Sequence, residues 1–205
     1  MPIPLNEETL PHAVDALIAQ DADLSAVVAR FGCPPLWGRA TGFPTVVYII
    51  LEQQVSLASA KAAFDKLLAA TNPLTPQRFL ELDDDQLRTI GFSRQKTRYC
   101  RILAQAVLEG RIDFAQLDSL PDEQVYAQLT ALTGIGAWTA NIYLLMALCR
   151  PDIWPAGDLA LQIAAQQVKG LSARPTVAEM DALAESWRPW RSVAARILWH
   201  HYLSK

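Results

Sequence analysis

The sequence predicts an all-α protein. Alanine and leucine recur throughout the 205 residues, whereas the strand-like alternation of Val, Ile and Thr is scarce. Apolar stretches with helical spacing begin at capping residues such as Ser93 and end at glycines such as Gly110. Hydrophobic residues make up 51% of the chain and charged residues 19%, a composition typical of folded proteins. These observations favour a compact bundle of short helices.

Each predicted helix has a local reason to begin or end, because prolines, glycines and N-capping side chains separate the apolar stretches. Val46, Val47 and Tyr48 favour strands, so periodicity alone leaves a strand possible at that point. The predicted helices cover about 6–19, 23–31, 45–53, 56–70, 77–81, 83–90, 93–109, 113–117, 121–130, 138–148, 159–168, 176–187 and 189–203.

Composition also excludes several classes of protein. The first ten residues contain Glu7 and Glu8 and lack the basic start of a secretory signal. The longest apolar stretch, 142–149, is far shorter than the ~20 residues that span a bilayer. Three isolated cysteines predict neither a disulfide framework nor a zinc site. We therefore expect a cytoplasmic protein, associated with the nucleoid if bacterial, that has no membrane partner.

The net charge of −3 argues mildly against a nucleic-acid partner, because many DNA-binding proteins are basic. Only the charge of the binding face matters, however. Arg94, Arg98 and Arg101 fall on one face of the helix 93–109, with Lys96 nearby. This face either follows DNA phosphates or is an ordinary solvated basic face.

The segment LTALTGIGAWTA, residues 129–140, carries the sharpest local signal. Two helices meet at Gly134-Ile135-Gly136, where glycines permit positive φ and a turn too tight for a Cβ. Backbone amides of such a turn, followed by a helix N-terminus, can bind a DNA phosphate. We expect Ile135 to fill the gap between the helices, and Thr139 belongs to the same phosphate-binding segment. Alternatively, the segment is an ordinary helix corner.

Carbonyl oxygens at the end of the first of these helices predict a second feature. Those of Thr130, Leu132 and Ile135 could hold a monovalent cation, Na⁺ or K⁺. No other metal or cofactor is expected.

The segment WPAGDLALQI follows the hairpin after about twenty residues. Pro155 and Gly157 tighten a loop, about 150–158, that delivers Asp158 to the start of the next helix. Aspartate is a preferred N-cap that stabilises a helix by ~1 kcal/mol, so a purely structural role is one alternative. A capping carboxylate can also direct an oxygen towards a ligand.

A hairpin followed by a Pro/Gly loop and an aspartate resembles the helix-hairpin-helix–GPD superfamily of DNA glycosylases. Within it, the chain is similar to the 3-methyladenine DNA glycosylase II, or alkylbase glycosylase, family. The similarity extends from about residue 45 to the C-terminus. It covers ILEQQVSLASAKAA, GFSRQKTRYCRILAQAVLEG, LTGIGAWTAN, PAGDLALQ and ESWRPWRSVAARILWHHYL.

The resemblance implies a single helix-hairpin-helix–GPD unit over residues 1–205, with two helical lobes and the hairpin and Asp158 at the cleft between them. From the resemblance we do not expect the extra N-terminal β domain that longer relatives carry. Asp158 would be the catalytic carboxylate. Trp138 and Trp199 would line the pocket for the extruded base, although core packing is the alternative for each. Gln54 would fill the gap left by the flipped nucleotide, although some relatives use a larger apolar residue there.

Trp138 decides the reaction class that the resemblance implies. Bifunctional members of the superfamily have a lysine at this place, two residues after Gly136, which attacks the sugar and leads to strand cleavage. A tryptophan supplies no amine for a Schiff base, so simple hydrolysis is expected. No cysteine follows Cys149, so the C-terminal iron–sulfur cluster of other branches is not expected.

The expected function is therefore monofunctional removal of alkylated purines, 3-methyladenine and 7-methylguanine, from double-stranded DNA by a monomer. Three alternatives stay open. The first is a non-enzymatic helix-hairpin-helix DNA-binding module, which would need neither Asp158 nor an aromatic pocket. The second is a glycosylase for hypoxanthine or another purine lesion. The third is a structural helical adaptor.

Overall fold

A computed structural model describes residues 3–204. Within this range the chain forms thirteen α-helices and one short π-helix and contains no β-strand. The all-α prediction is therefore confirmed, and the segment around Val46–Tyr48 is helical. The helices are α1 (Thr9–Ile18), α2 (Ala22–Phe31), α3 (Phe43–Glu52), α4 (Leu57–Thr71), α5 (Pro76–Glu81), α6 (Asp84–Ile90), α7 (Arg94–Leu108), α8 (Phe114–Leu117), α9 (Asp122–Thr130), α10 (Ala137–Ile142), α11 (Leu159–Val168), α12 (Val177–Glu185) and α13 (Arg191–Leu203).

The chain divides into two compact units. The second unit is the continuous segment Arg39–Tyr143, which contains α3 to α10. The first unit contains the described residues up to Gly38 together with those from Leu144 onwards, and so combines α1 and α2 with α11 to α13. No helix within residues 3–204 has the length and apolarity needed to cross a bilayer.

Helix α3 is the centre of the second unit. Eight of its ten residues are buried, including Val47, Ile49 and Ile50. A helix that is buried on nearly all sides is stable only when other elements surround it, and α4, α7 and α10 pack against α3. Residues with high β-propensity are therefore helical here because burial outweighs that propensity.

In the first unit α13 is the buried helix, and it packs against α1, α2, α11 and α12. Arg196 of α13 is fully buried and donates to three backbone carbonyls, those of Leu36, Leu145 and Ser192. Burial lowers the pKa of Arg196 to about 10, so the guanidinium is still charged at neutral pH. These three bonds tie the loop after α2 and the segment after α10 to α13.

Helix capping follows the sequence signals closely. Ser93 accepts from the Lys96 amide and Asp83 forms a capping box with Gln86. Gly91 and Gly110 have φ of 122° and 72°, which suits glycines that end α6 and α7.

One predicted helix differs in the structure. Residues 138–148 were expected to form a single α-helix, but α10 ends at Ile142 and a π-helix, Tyr143–Ala147, follows. A uniformly apolar run of this kind contains no proline, glycine or polar cap that would mark the change. One carbonyl of the π-helix, that of Leu145, accepts from the Arg196 guanidinium at 2.8 Å.

Candidate functional site

Gly134 is the residue of the α9–α10 turn that must be glycine. Its φ is 99°, a value that L side chains rarely adopt. In addition, a Cβ at this position would overlap the side chain of Tyr99 from α7. The predicted tight turn is therefore found at Gly134, and Tyr99 is the neighbour that makes it tight.

Gly136 does not share these constraints, so the positive φ and tight packing predicted for the glycines of this turn are found at Gly134 and not at Gly136. Its φ is −91° and a Cβ would have nothing within 4 Å. Gly136 is exposed and is the N-cap of α10. The space in front of it is open, so any requirement for glycine here would come from a ligand rather than from the fold.

Ile135 and Thr139 face the interior of the second unit. Ile135 is 4% exposed, as expected of a residue that fills the gap between the helices. Its amide donates to the Leu132 carbonyl at 3.1 Å, so this N–H is engaged inside the turn and no longer suits phosphate binding. The Thr139 hydroxyl is also buried and accepts a hydrogen bond. Of these two residues, only the backbone N–H of Thr139 stays a candidate for phosphate contact.

Gln53 links the α3–α4 junction to the hairpin. Its side-chain amide donates to the Gly134 carbonyl at 3.0 Å and to the Thr139 hydroxyl at 2.9 Å. The Lys96 ammonium supports the same junction, because it donates to the Leu51 carbonyl at 2.7 Å. Sequence reasoning missed all three hydrogen bonds, since they join residues 45 to 86 positions apart and leave no local pattern.

Gln54 is the exposed residue at this junction. Its φ of 57° is uncommon for a residue other than glycine, and such strain often occurs at ligand-binding positions. The aliphatic side chains beside it, Val55 and Leu57, are 47% and 57% exposed. The junction therefore presents two apolar side chains to solvent beside Gln54.

The basic residues of α7 separate into two groups. Lys96 is engaged with the Leu51 carbonyl, and burial lowers its pKa. Arg101 donates to Asp84 and to the Leu82 carbonyl. Arg94 and Arg98 are exposed. The part of this face that suits phosphate binding is thus smaller than the sequence pattern indicated.

Trp138 lies in the first turn of α10 and is half-buried. It belongs to the second unit together with Gln54 and the hairpin.

Asp158 and Trp199 meet in the first unit. Asp158 is the N-cap of α11, and its Oδ1 accepts from the Leu161 amide at 3.0 Å. The same oxygen accepts from the Trp199 indole N–H at 3.2 Å. Asp158 is half-buried and follows the exposed Gly157, whereas Trp199 is only 7% exposed. The predicted capping role is confirmed, and the residue is not fully buried.

Two further tryptophans of the first unit pack in its core. Trp154 and Trp187 are buried and pack edge to face with ring centroids 5.3 Å apart. The rings of His200 and His201 pack against Phe31.

Comparisons of the sequence and of the structure with known proteins both find DNA glycosylases. The family model of the HhH-GPD superfamily of base excision DNA repair proteins matches residues 47–189, well over half of the chain. A putative DNA-3-methyladenine glycosylase of Bacillus subtilis is 27% identical over 201 residues, which cover 94% of this chain and 69% of that protein. An alkylbase DNA glycosidase-like protein of Schizosaccharomyces pombe is 29% identical over 159 residues, or 75% of each chain.

A solved structure is also similar to this fold. The 3-methyladenine DNA glycosylase of Schizosaccharomyces pombe in complex with abasic DNA superimposes with a TM-score of 0.87 at 26% identity. The match covers 92% of this chain and 95% of the yeast chain. With its all-helical fold, its Gly134 turn and its loop ending in Asp158, the chain belongs to the HhH-GPD superfamily of base excision DNA repair proteins.

Proposed function

We propose that the protein is a monofunctional DNA glycosylase that hydrolyses the N-glycosidic bond of alkylated purines in double-stranded DNA. The observation that carries the proposal is the half-buried Asp158 at the start of α11, whose Oδ1 accepts from the Leu161 amide and from the Trp199 indole N–H. The named activities of the relatives support the substrate class, because they include DNA-3-methyladenine glycosylases.

The chemistry of the substrate explains why one carboxylate suffices. A base in duplex DNA must first be rotated out of the stack, at a cost of a few kcal/mol. Alkylation at N3 or N7 makes the purine cationic and therefore a good leaving group. The enzyme then needs a negative charge near the sugar, where oxocarbenium character develops. Asp158 supplies this charge, and activation of water is a secondary role.

Trp138 supports both the reaction type and the recognition of the base. It offers no amine to form a Schiff base with the sugar, so water is the nucleophile that we propose. A cationic purine is attracted to the electron-rich face of an indole by ~0.5–2 kcal/mol. Trp138 is half-buried in the first turn of α10, and we propose its indole as the surface for this contact.

Backbone groups of the hairpin provide the proposed DNA contact. Gly136 is exposed with open space in front of it, which lets a phosphate approach the N-terminus of α10. We also propose that the carbonyls of Thr130, Leu132 and Ile135 hold a Na⁺ or K⁺ ion, which would add positive charge beside the phosphate. The Leu132 carbonyl already accepts the Ile135 amide, but a carbonyl oxygen has two lone pairs.

The proposed activity is tested by incubating the pure protein with methylated duplex DNA. The released bases are identified by mass spectrometry, and strand integrity is examined on a denaturing gel before and after alkali. We expect 3-methyladenine and 7-methylguanine in the supernatant, and strand breaks only after alkali. Borohydride should trap no covalent protein–DNA adduct.

Two results would each contradict a different part of this proposal. Breaks without alkali together with a borohydride-trapped adduct would show a lyase and remove the monofunctional assignment. DNA binding without release of any purine would favour a non-enzymatic binding module.

Gln54 is expected to act as the wedge that replaces the flipped nucleotide. Replacing Gln54 with Ala should slow base flipping, read from the fluorescence of 2-aminopurine beside the lesion, and lower the single-turnover rate about tenfold. The reason is that an alanine cannot occupy the vacated stack. Gln77→Ala, an exposed glutamine of α5 in the same unit, is the matched control. Equal flipping by both variants would remove the wedge assignment.

A further inference from the structure

The Trp199 indole makes a hydrogen bond through the N–H at its ring edge, and little of its ring face is exposed. Its Nε1 donates to Asp158 Oδ1 at 3.2 Å, and only 7% of the residue is exposed. A buried ring offers little surface on which an extruded base can stack. The geometry therefore favours a role that acts through Asp158.

We propose that Trp199 is a positioning residue that fixes the direction of the Asp158 carboxylate; this inference rests on the proposed function. Oδ1 accepts from the Leu161 amide and from the Trp199 indole. The Trp199 donor, carried by a buried side chain of α13, restricts rotation of the carboxylate about its Cβ–Cγ bond beyond what the Leu161 amide does. The orientation of the remaining oxygen is then set by α11 and α13 together.

The energetic reason is that catalytic groups tolerate little displacement. Productive geometry must be held within ~0.5 Å, and a shift of ~1 Å can lower a rate about 10²-fold. Asp158 lies at the end of a loop, where local backbone structure alone fixes a side chain poorly. A hydrogen bond from a buried tryptophan fixes the side chain more firmly than the loop backbone does.

The first unit contains a second pair of the same construction, which serves as an internal reference. Asp21 is the N-cap of α2 and accepts from the Trp187 indole at 2.7 Å. Its carboxylate also forms an ion pair with Lys169 at 2.7 Å. Although burial opposes it, hydrogen bonds from Lys169 and Trp187 lower the pKa of Asp21. The Asp21 side chain is only 10% exposed, so this pair stabilises the fold.

The two pairs separate a structural effect from a positioning effect. Trp199→Phe and Trp187→Phe each remove one indole N–H from an N-capping aspartate in the same unit, and both should lower the thermal unfolding midpoint. Only Trp199→Phe should lower the single-turnover rate of 7-methylguanine release, by about tenfold. Its Kd for duplex DNA with a tetrahydrofuran abasic analogue should stay within about twofold of that of the unmodified protein.

Two further measurements keep the test independent of folding defects. Incorporation of 3-benzothienylalanine at position 199 replaces the N–H by sulfur, keeps the ring size, and should reproduce the loss in rate. In an Asp158→Asn background, Trp199→Phe should cause no additional loss, because an interaction through residue 158 is non-additive.

Each result has a definite consequence. If Asp158→Asn is inactive but Trp199→Phe and the benzothienyl variant release base at the unmodified rate, the positioning role is wrong and the proposed function stands. The same conclusion follows if Trp199→Phe lowers the rate equally in both backgrounds. If Asp158→Asn is fully active, the catalytic assignment fails, and the positioning role fails with it.

Discussion

Replacing Asp158 with asparagine is expected to lower the rate of base release by about 10²- to 10³-fold while the protein stays folded. Asparagine has the same shape and is an equally good N-cap, so its carbonyl can still accept from the Leu161 amide. What it lacks is the negative charge that would stabilise the oxocarbenium-like sugar. The measurement is single-turnover release of 7-methylguanine, with thermal unfolding recorded on the same sample.

Asp21→Asn is the matched control for this variant. It also alters an N-capping aspartate that accepts an indole N–H in the first unit. Loss of the Lys169 ion pair should lower its unfolding midpoint, while its rate of base release should be unchanged. A rate for Asp158→Asn within about twofold of the unmodified protein would show that Asp158 is only a helix cap.

Replacing Gly134 with alanine is expected to destabilise the second unit severely. A φ of 99° is strained for alanine by ~1–2 kcal/mol, and the new Cβ would overlap the Tyr99 side chain near its Cβ and Cγ, where that residue cannot turn away. Movement of the turn would also disturb the Gln53 hydrogen bond to the Gly134 carbonyl. We expect a lower unfolding midpoint or loss of soluble protein, measured by thermal denaturation and yield.

Gly136→Ala is the companion variant, and its predicted effect is the opposite. Its φ of −91° suits alanine and its Cβ would meet nothing within 4 Å, so stability should be retained. The added methyl group would occupy the space that we assign to a phosphate, so affinity for abasic-analogue DNA should fall. Unchanged affinity in a stable Gly136→Ala protein would contradict the proposed DNA contact.

The sequence predicted most of the helices because their ends are marked by local chemistry. Side chains of Ser93 and Asp158 cap helices where the pattern indicated, and Gly110 adopts the positive φ expected of a helix end. The π-helix at Tyr143–Ala147 was not predictable, because an apolar run offers the same hydrophobic pattern to both kinds of helix. Its carbonyl contact with Arg196 depends on a residue about fifty positions away.

The candidate site was predictable as a set of residues but not as a set of contacts. Resemblance to a known family was enough to select Asp158, Trp199 and the hairpin. It could not reveal that Trp199 donates to Asp158, because the partners are 41 residues apart. For the same reason the sequence pointed to Gln54 and not to Gln53, although the Gln53 side chain makes the contacts with the hairpin.

Whether the negative charge of Asp158 stabilises a positively charged sugar can be tested by comparing the binding of two abasic analogues in duplex DNA. A pyrrolidine analogue carries the positive charge of the oxocarbenium-like sugar, and a tetrahydrofuran analogue has a similar shape without charge. We expect the unmodified protein to bind the pyrrolidine duplex about 10²-fold more tightly or better, and Asp158→Asn to bind both with nearly equal Kd. An equal preference for the cation in both proteins, or none in the unmodified protein, would contradict the assignment of Asp158 as the group that stabilises the transition state.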